Sequence, residues 1–425
     1  MPRKKTKKEE PSEEKPASVQ PEINIGMVGH VDHGKTTLVQ TLSGKWTDTH
    51  SEEIKRGITI RLGYADVSFH KCPKCEGSDA FGVQQKCTKC GTETQFLRKI
   101  SLVDAPGHES LMATMLCGAN IIDGALLLVS ATETCPQPQT REHLKALEIV
   151  GIDNIIVIQN KIDLVSEEAA KKNYKEIKEF LKGTKFENAP IVPMSAIHSI
   201  NLDVLIQTIQ ENFQTPKRDL TADPIMFVAR SFDINKPGAE PEKMVGGVLG
   251  GAIKQGKLIQ GADIEILPGY EVQEKNQKIW KPLKTSILSI MSGGEKIKEA
   301  TPGGSLAIMT TLDPSVVKSD KLVGSLVVLE GSSLKVWYEF SLEPHLLERV
   351  VGAKDKLVVE PIKLGELLML NVNAAATVGV VKELGKNTVK CALRKPVCAE
   401  LGARVTIGRN LGQRWRLIGY GTIKG

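Results

Sequence analysis

The stretch GHVDHGKT at residues 29–36 limits what this chain can fold into more than any other feature of its sequence. It follows the continuous apolar run INIGMV and leads into the helical candidate KTTLVQTLSG. A buried strand, a glycine-rich turn and a helix in this order are typical of a phosphate-binding loop, or P-loop. Gly29 and Gly34 let the backbone N–H groups of the turn point at phosphate oxygens. The sequence therefore predicts an α/β nucleotide-binding domain.

The alternation of strand and helix continues to about Thr215. Four more near-continuous hydrophobic runs are separated by longer amphipathic segments, and they read KISLVDA, GALLLVSA, NIIVIQN and APIVPMSA. Hydrophobic runs of this kind are typical of strands that are buried on both faces. We therefore expect a nucleotide-binding domain at residues 21–217, built on a mostly parallel sheet with helices on both faces.

The pattern changes after Asp223, where the helical segments stop and short β-rich runs separated by glycine begin. These runs predict two β-barrel domains, which we place at residues 218–333 and 334–425. Residues 1–20 are rich in lysine and glutamate, and they predict a disordered charged tail.

Within the P-loop, Lys35 is placed to offset the charge of the β- and γ-phosphates, and the Thr36 hydroxyl is placed to bind Mg²⁺. The candidates for nucleotide binding in this loop and at the start of its helix are Gly29, His30, Val31, Asp32, His33, Gly34, Lys35, Thr36 and Thr37.

The motif NKID, which ends the run IIVIQ, predicts the base that the site takes. Ligands bind at such strand ends in open parallel sheets. The Asp163 carboxylate can accept two hydrogen bonds from the N1–H and N2–H₂ edge of guanine, whereas adenine would leave that charge unpaired. Asn160 would hold the loop or reach guanine N7, and the Lys161 stem would cover the ring. A backbone N–H for guanine O6 is predicted at a later strand end, at Ser195, Ala196 and Ile197.

Two further motifs predict a sensor of the γ-phosphate. In DAPGHE, Asp104 is placed to hold Mg²⁺ through water and the Gly107 N–H to contact the γ-phosphate. His108 follows where a side chain can orient the attacking water, although a lone histidine is more often structural. We take His108, Lys35 and Asp104 as the catalytic candidates. In KRGITI, Thr59 can reach Mg²⁺ and the γ-phosphate, so residues 47–60 are predicted to become ordered only with GTP.

Four of the eight cysteines form two CxxC pairs, Cys72 with Cys75 and Cys87 with Cys90. Their spacing predicts a zinc-ribbon insert at about residues 70–92, with four thiolates around a closed structural zinc site. A disulfide pair and an iron–sulfur cluster are the alternatives. The other cysteines are scattered, which agrees with a reducing, cytoplasmic location. Four lysines flank the pairs and are candidates for contact with tRNA, ribosome or a partner: Lys71, Lys74, Lys86 and Lys89.

Charge and hydropathy narrow the possible partners. No run of eighteen apolar residues exists and residues 1–20 lack a secretory apolar stretch, so we expect no membrane partner. The net charge of +6 permits an RNA partner without requiring one, and the cysteine segment is too short for a helix that reads DNA. A C-terminal cluster predicts either an RNA contact or a solvated barrel surface. It consists of Arg394, Arg404, Arg409, Arg414, Trp415, Arg416 and Tyr420.

With these motifs in order, the sequence resembles the translational GTPases of the elongation factor Tu type. The resemblance rests on GHVDHGKTT, RGITI, DAPGHE, NKID and the two β-rich blocks, and it covers nearly the whole chain from Pro21. Within that group the chain is most similar to the gamma subunits of archaeal and eukaryotic translation initiation factor 2. The closer likeness rests on RLGYAD before the cysteine insert, PGHESLMATMLCGANIIDGALLLVSATE and RWRLIGYG. The chain length favours the archaeal form.

The resemblance implies a GTPase that cycles between GTP and GDP, with Mg²⁺ at the phosphates. It implies delivery of initiator methionyl-tRNA to the small ribosomal subunit, and assembly with an α and a β subunit into a heterotrimer. By motif match, Asp32 and Gly57 would serve a second Mg²⁺. Because no arginine can be assigned as a finger in cis, we expect slow hydrolysis without an activator.

Three other functions remain open from the sequence. The first is a factor for another aminoacyl-tRNA, such as the selenocysteine-specific factor, which normally carries a further C-terminal domain. The second is a GTPase that regulates a metabolic enzyme, whose known members lack a CxxC insert at this place. The third is a zinc-dependent RNA-binding module with a vestigial nucleotide site, against which the intact Lys35, Thr36 and Asp163 argue.

Overall fold

The computed structural model describes residues 20–47, 59, 61–108, 111–236, 238, 240, 242, 244–274, 277–351, 357–412 and 414–425. Gly57 and most of the segment predicted to become ordered with GTP lie outside this set, as do residues 1–19 of the predicted tail. All structural statements below concern the described residues.

The N-terminal half of the chain forms a seven-stranded sheet with the order β3-β2-β4-β1-β5-β6-β7. Its strands are β1 (Ile23–Gly29), β2 (Gly63–Lys71), β3 (Phe81–Gly82), β4 (Gln95–Asp104), β5 (Gly124–Ser130), β6 (Ile155–Asn160) and β7 (Ile191–Pro193). Five of them are parallel, and β2 and β3 form the antiparallel edge. Strands β1, β5 and β6 are buried along their whole length, as their continuous apolar sequences predict.

Five helices cover the two faces of this sheet. They are α1 (Lys35–Ser43), α2 (Met112–Ala119), α3 (Pro138–Val150), α4 (Glu167–Leu181) and α5 (Leu202–Asn212). One hydrophobic cluster packs α1 and α5 against the sheet, and a second packs α2, α3 and α4 against the opposite face. This arrangement confirms the predicted α/β domain. It also brings the ends of β1, β4 and β6 to one edge, where ligands bind in such sheets.

The next unit is a β-barrel. Its strands are β8 (Ile225–Phe232), β9 (Val248–Gln255), β10 (Leu258–Ile259), β11 (Asp263–Glu274), β12 (Gln277–Ser292), β13 (Glu295–Ile297), β14 (Glu299–Ala300), β15 (Leu306–Thr310) and β16 (Leu326–Leu329). Six of them follow the order β11-β16-β8-β9-β15-β12, and pairing between β11 and β12 closes the ring. A four-residue helix, α6 (Pro314–Val317), interrupts the β pattern, which the sequence did not predict.

The last unit is a second closed barrel with the order β17-β20-β19-β18-β21-β22. Its strands are β17 (Val336–Leu346), β18 (Leu367–Val372), β19 (Ala375–Leu384), β20 (Val389–Cys398), β21 (Arg404–Leu411) and β22 (Arg414–Ile423). Within the described part of the chain, no helix is long and apolar enough to cross a membrane.

Polar contacts fix both barrels against the α/β domain. Asp320 of the first barrel lies 3.2 Å from the Arg61 guanidinium, two residues after Thr59. In the second barrel, the Asn371 side chain donates a hydrogen bond to a backbone carbonyl of α2, and Arg416 forms an ion pair with Glu142 of α3. The barrels therefore contact the elements next to the predicted nucleotide site.

Candidate functional site

The P-loop, residues 29–36, has a backbone that only glycine permits at two positions. Gly29 has φ 139° and Gly34 has φ 92°, values that side-chain-bearing residues rarely adopt. A Cβ at Gly34 would lie 2.3 Å from Nδ2 of Asn160, and one at Gly29 would lie 2.5 Å from the Leu128 carbonyl oxygen. Both glycines therefore allow a close approach as well as an unusual φ, which confirms the turn but leaves its ligand a prediction.

Lys35 lies in the centre of this turn and is buried. Its Nζ donates hydrogen bonds to the carbonyl oxygens of Gly29, at 3.1 Å, and His30, at 2.7 Å. Gly107, from the segment after β4, lies so close that a Cβ there would be 2.5 Å from the same Nζ. The ammonium group thus stands between the P-loop and the predicted γ-phosphate sensor. Contact of this ammonium group with the phosphates of a nucleotide stays a prediction.

Three side chains with oxygen atoms that can bind a metal ion lie together next to Lys35. The Thr36 hydroxyl donates to Oδ2 of Asp104 at 2.7 Å and lies 3.2 Å from the hydroxyl of Thr59. Two hydroxyls and a carboxylate are the hard oxygen ligands that Mg²⁺ prefers, so the described residues fit the predicted magnesium site. Thr47, which was not predicted as a site residue, also donates to Asp104, at 2.8 Å. Of the second predicted set, Asp32 is exposed and Gly57 lies outside the described residues.

Asn160 joins the P-loop to the loop after β7. Its Nδ2 donates to the His33 carbonyl at 2.9 Å, and its Oδ1 accepts the Ala196 N–H at 3.0 Å. Of the two roles that the sequence allowed, the structure shows loop holding. The Ala196 N–H is thereby engaged within the protein, and the Ser195 N–H is bonded to Ile200.

The other base-side residues lie beside Asn160. Lys161 has φ 64°, and the Asp163 carboxylate lies 3.7 Å from Nε2 of the exposed His198. Ile197 is 71% exposed at the surface of the loop that follows β7, where an apolar side chain can cover a base. The structure therefore brings together the residues that the sequence selected for guanine.

His108 directly follows Gly107 and is exposed. Its carbonyl oxygen accepts a hydrogen bond from the Leu111 N–H at the start of α2. The residue thus connects the Lys35 region to a helix that contacts the second barrel. An exposed imidazole at this place can reach solvent water, which is what the predicted role requires.

Two buried histidines lie at the P-loop: His33, which the sequence analysis names as a nucleotide-binding candidate, and His143, which it does not. His143, on α3, accepts the Gly29 N–H at its Nδ1, with a distance of 2.9 Å. Burial, together with the nearby Lys35, His30 and His33, lowers the pKa of His143 to about 3. The His33 ring lies 2.9 Å from the Leu128 carbonyl and 3.5 Å from Glu133, and burial lowers the pKa of His33 as well. No local sequence signal connects His143 with a glycine 114 residues away.

The four cysteines of the two CxxC pairs come together as predicted. The sulfurs of Cys72 and Cys90 are 3.4 Å apart and those of Cys75 and Cys87 are 3.7 Å apart, and all four lie within 4.8 Å of one another. Sulfurs about 2.3 Å from a tetrahedral zinc ion lie about 3.8 Å apart. All four cysteines are free thiols, so the structure contains no disulfide here. The arrangement fits a structural zinc ion.

Electrostatics and packing support this cysteine cluster. The hydroxyl and backbone of Thr92 lower the pKa of Cys90 to about 6, whereas hydrogen bonds with Cys90 and Cys87 raise the pKa of Cys75 to about 12, so the thiolate form that binds metal is favoured at Cys90. The insert packs Phe81 and Val83 against the cluster that contains α5. One of the flanking lysines, Lys89, forms an exposed ion pair with Asp79 at 2.9 Å.

The arginines of the C-terminal cluster have mostly intramolecular roles. Arg409 pairs with Glu366 at 2.5 Å and donates to two backbone carbonyls. Arg416 pairs with Glu142, and Arg404 bonds the Ile149 carbonyl while its guanidinium lies over the Tyr420 ring. Arg409 and Arg416 are thus held within the protein, Arg404 remains an exposed residue, and an RNA contact of this cluster stays a prediction. Spacing along a strand could not reveal partners on other elements.

Two family models match the chain. The model described as the elongation factor Tu GTP binding domain matches residues 20–215. The model described as initiation factor eIF2 gamma, C terminal, matches residues 338–423.

Curated relatives match nearly the full chain. The translation initiation factor 2 subunit gamma of Methanothermobacter thermautotrophicus is 56% identical over 405 residues, which cover 95% of this chain and 99% of the relative. The protein of the same name from Methanocaldococcus jannaschii is 55% identical over 406 residues, which cover 96% and 98%.

Solved structures share the fold at lower identity. The bacterial selenocysteine-specific elongation factor EF-Sec has a TM-score of 0.71 at 23% identity, and the match covers 95% of this chain and 58% of that longer one. Translation elongation factor SelB from Methanococcus maripaludis, in complex with the GTP analogue GppNHp, has a TM-score of 0.69 at 24% identity, with 96% and 80% covered. These two likenesses concern the fold alone.

Proposed function

Because this chain belongs to the family of translation initiation factor 2 gamma subunits, we propose that it brings initiator methionyl-tRNA to the small ribosomal subunit. The chain is a translational GTPase whose ligands are GTP, GDP and Mg²⁺. In the proposed cycle, the GTP form binds the tRNA and hydrolysis to GDP releases the factor. We further propose that it works in the cytoplasm, in a complex with an α and a β subunit.

One observation carries this proposal at the level of the site. Thr36, Thr59 and Asp104 come from three separate segments and meet beside Lys35. Thr59 belongs to the segment that the sequence predicts to respond to GTP, and Asp104 precedes the segment that contains Gly107. These three side chains would hold a magnesium ion there, and the ion would offset the negative charge of the nucleotide's phosphates. Without the γ-phosphate, these segments would lose a ligand that holds them together.

We assign guanine recognition to the loops that Asn160 holds. Asp163 would accept the N1–H and N2–H₂ groups of guanine, and Lys161 would cover one face of the ring. Because the Ser195 and Ala196 N–H groups are engaged within the protein, the hydrogen bond to O6 falls to the Ile197 N–H. This assignment is more specific than the sequence prediction, which did not choose among the three residues.

For hydrolysis, we assign His108 to hold the attacking water and Lys35 to stabilise the charge that develops on the phosphate oxygens. The Gly107 N–H would contact the γ-phosphate on the side opposite to the P-loop. This set lacks an assigned arginine finger, so an activating partner is expected to raise the rate. Arg61, the arginine nearest in sequence to Thr59, is bound to Asp320.

The zinc ion is assigned a structural role at Cys72, Cys75, Cys87 and Cys90. Four thiolates leave no open coordination position for catalysis. Their segment connects β2, which follows Thr59, to β4, which ends at Asp104. Zinc would therefore hold together the loop that connects the two strands next to the predicted phosphate sensors.

The proposal is tested by binding of initiator and elongator methionyl-tRNA in the presence of GppNHp and of GDP. Initiator tRNA is expected to bind tightly only with GppNHp. The variant Thr59→Ala should lose this difference, whereas Thr221→Ala, which removes an exposed hydroxyl in the linker before β8, should keep it. Equal affinity in both nucleotide states, or a preference for another tRNA, would refute the proposed function.

A further inference from the structure

His143 connects helix α3 to the first glycine of the P-loop. Its side chain is 1% exposed, and its Nδ1 accepts the backbone N–H of Gly29 at 2.9 Å. Since Nδ1 acts as the acceptor, the ring proton is on Nε2. The imidazole is therefore a buried acceptor for a backbone donor of the phosphate-binding turn.

The Gly29 peptide needs such a partner because its surroundings offer little freedom. The residue has φ 139° and lies so close to β5 that a Cβ would be 2.5 Å from the Leu128 carbonyl oxygen. Its own carbonyl oxygen accepts a hydrogen bond from Lys35. The two polar groups of Gly29 are thus bonded to His143 and to Lys35. A buried N–H that lost its acceptor would destabilise this conformation.

We propose that His143 is a positioning residue of the nucleotide site, which holds the Gly29 peptide in one conformation so that the phosphate-binding turn keeps its shape before nucleotide arrives. The proposal rests on the assignment of this loop to guanine nucleotides. His143 does not touch the nucleotide in this proposal and acts only through Gly29. Its effect therefore extends to GDP and GTP alike, because both nucleotides use the same turn.

Histidine suits this role because it stays a neutral acceptor. The groups that face it are Lys35, His30 and His33, and a protonated His143 would add a charge next to the Lys35 ammonium. Burial also disfavours the protonated form, because a charged imidazole would lose its hydration. The acceptor is thus maintained at the pH of a living cell. Lysine or arginine at this position would supply donors only, and the Gly29 N–H would remain unpaired.

The experiment measures the dissociation rate of a fluorescent GDP analogue from the full chain. In His143→Leu the acceptor is lost, while His143→Asn places an amide oxygen close to the position of Nδ1. Leu147→Ala is the matched control, because it removes a fully buried side chain from the same helix one turn away. Thermal midpoints of all variants separate a loss of fold from a loss of loop geometry.

We expect His143→Leu to release the GDP analogue about tenfold to a hundredfold faster than the wild type, which corresponds to one unpaired buried donor. His143→Asn should stay within about threefold, and Leu147→Ala should lower the thermal midpoint without a comparable change in rate. A rate for His143→Leu that equals the wild type would overturn the inference. So would equal acceleration in all three variants. A wild-type chain that binds no guanine nucleotide would instead refute the proposed function.

Discussion

At the scale of single residues, Asn160 connects the phosphate side of the candidate site to the base side. Its amide donates to the P-loop through the His33 carbonyl and accepts from the loop after β7 through the Ala196 N–H. The neighbouring Asp163 is then free of this structural task, and its carboxylate lies next to the exposed His198 only at 3.7 Å. Asn160 thus holds the two loops together, and in the proposed function Asp163 selects the base.

We predict that Asp163→Asn changes the preferred base from guanine to xanthine. The asparagine amide cannot accept both hydrogen bonds from N1–H and N2–H₂, but it can donate one to the oxygen that xanthine carries at position 2. GDP affinity should fall at least about a hundredfold, while xanthosine diphosphate should bind better than it does to the wild type. Titration calorimetry with both nucleotides measures the change. Unaltered GDP affinity would show that Asp163 does not contact the base.

The stability of the chain is predicted to depend on pH through His143. Its pKa is about 3 in the folded chain, against an ordinary value of 6.5, so the unfolded chain takes up a proton as the pH falls below 6.5 while the folded chain does not. The contribution of His143 to the unfolding free energy is therefore complete above pH 6.5, and it is lost progressively as the pH falls from 6.5 towards 3.

We expect the wild type to lose about 1 to 2 kcal/mol more unfolding free energy than His143→Asn between about pH 7 and about pH 5. Denaturant unfolding at several pH values measures this difference. His33 also has a lowered pKa, and its contribution cancels in the comparison because both proteins contain it. Parallel pH curves for the two proteins would contradict the assignment of a neutral buried imidazole.

At the scale of secondary-structure elements, the cysteine insert lies between strands β2 and β4. Its short 3₁₀ helix at Gly77–Ala80 and its strand β3 pack on α5, the helix that follows the loop with Ala196. A cavity of about 490 Å³ lies between the second CxxC pair and the start of α5. The insert therefore packs on the α/β domain through its contacts with α5. We expect the four sulfurs to hold together the rest of the insert.

We predict that Cys90→Ser removes the bound zinc and loosens the insert. The wild type should contain about one zinc ion per chain, and the variant close to none, because three thiolates hold a structural zinc ion poorly. Metal analysis and limited proteolysis measure the two effects, and new cleavage is expected between Cys72 and Thr94. Cys135→Ser, which changes a cysteine outside the cluster, should retain its zinc. Full zinc content in Cys90→Ser would exclude this ligand set.

The strands of the parallel sheet were predictable because they are buried on both faces, and their sequences carry little else than apolar residues. The P-loop and the cysteine pairs were predictable for a related reason, since their chemistry depends on spacing within a few residues. The contacts of Thr47 with Asp104 and of His143 with Gly29 join residues 57 and 114 positions apart. Such contacts follow from tertiary packing, and a single sequence does not reveal them.

At the scale of the whole molecule, the barrels contact the elements that surround the nucleotide site. Arg61 and Arg230 both bind Asp320 of the first barrel, which ties the residues after Thr59 to that barrel. Asn371 contacts α2, which follows His108, and Arg416 contacts α3, which carries His143. The two predicted phosphate sensors and helix α3 therefore each have a neighbour in a barrel. This arrangement suits a switch whose state is read by large partners.

We predict that the Glu142–Arg416 pair, at 2.5 Å, determines how firmly the second barrel is held. The two side chains are 2% and 11% exposed, so removal of one partner deprives the other of a buried ion pair. Either Glu142→Leu or Arg416→Leu should lower the unfolding free energy by about 3 to 5 kcal/mol, whereas the double variant should recover most of it. Lys363→Ala, which breaks the exposed pair with Glu360, should leave the unfolding free energy nearly unchanged, because solvent screens an exposed pair.

Denaturant unfolding of the four proteins measures these energies, and small-angle scattering shows whether the second barrel separates from the α/β domain. Because Glu142 is adjacent to His143, separation of the barrel should also speed the release of GDP in the single variants. In the double variant, restored stability should be accompanied by restored GDP retention. Additive losses in the double variant would show that the two side chains act independently, and that the barrel is held by its other contacts.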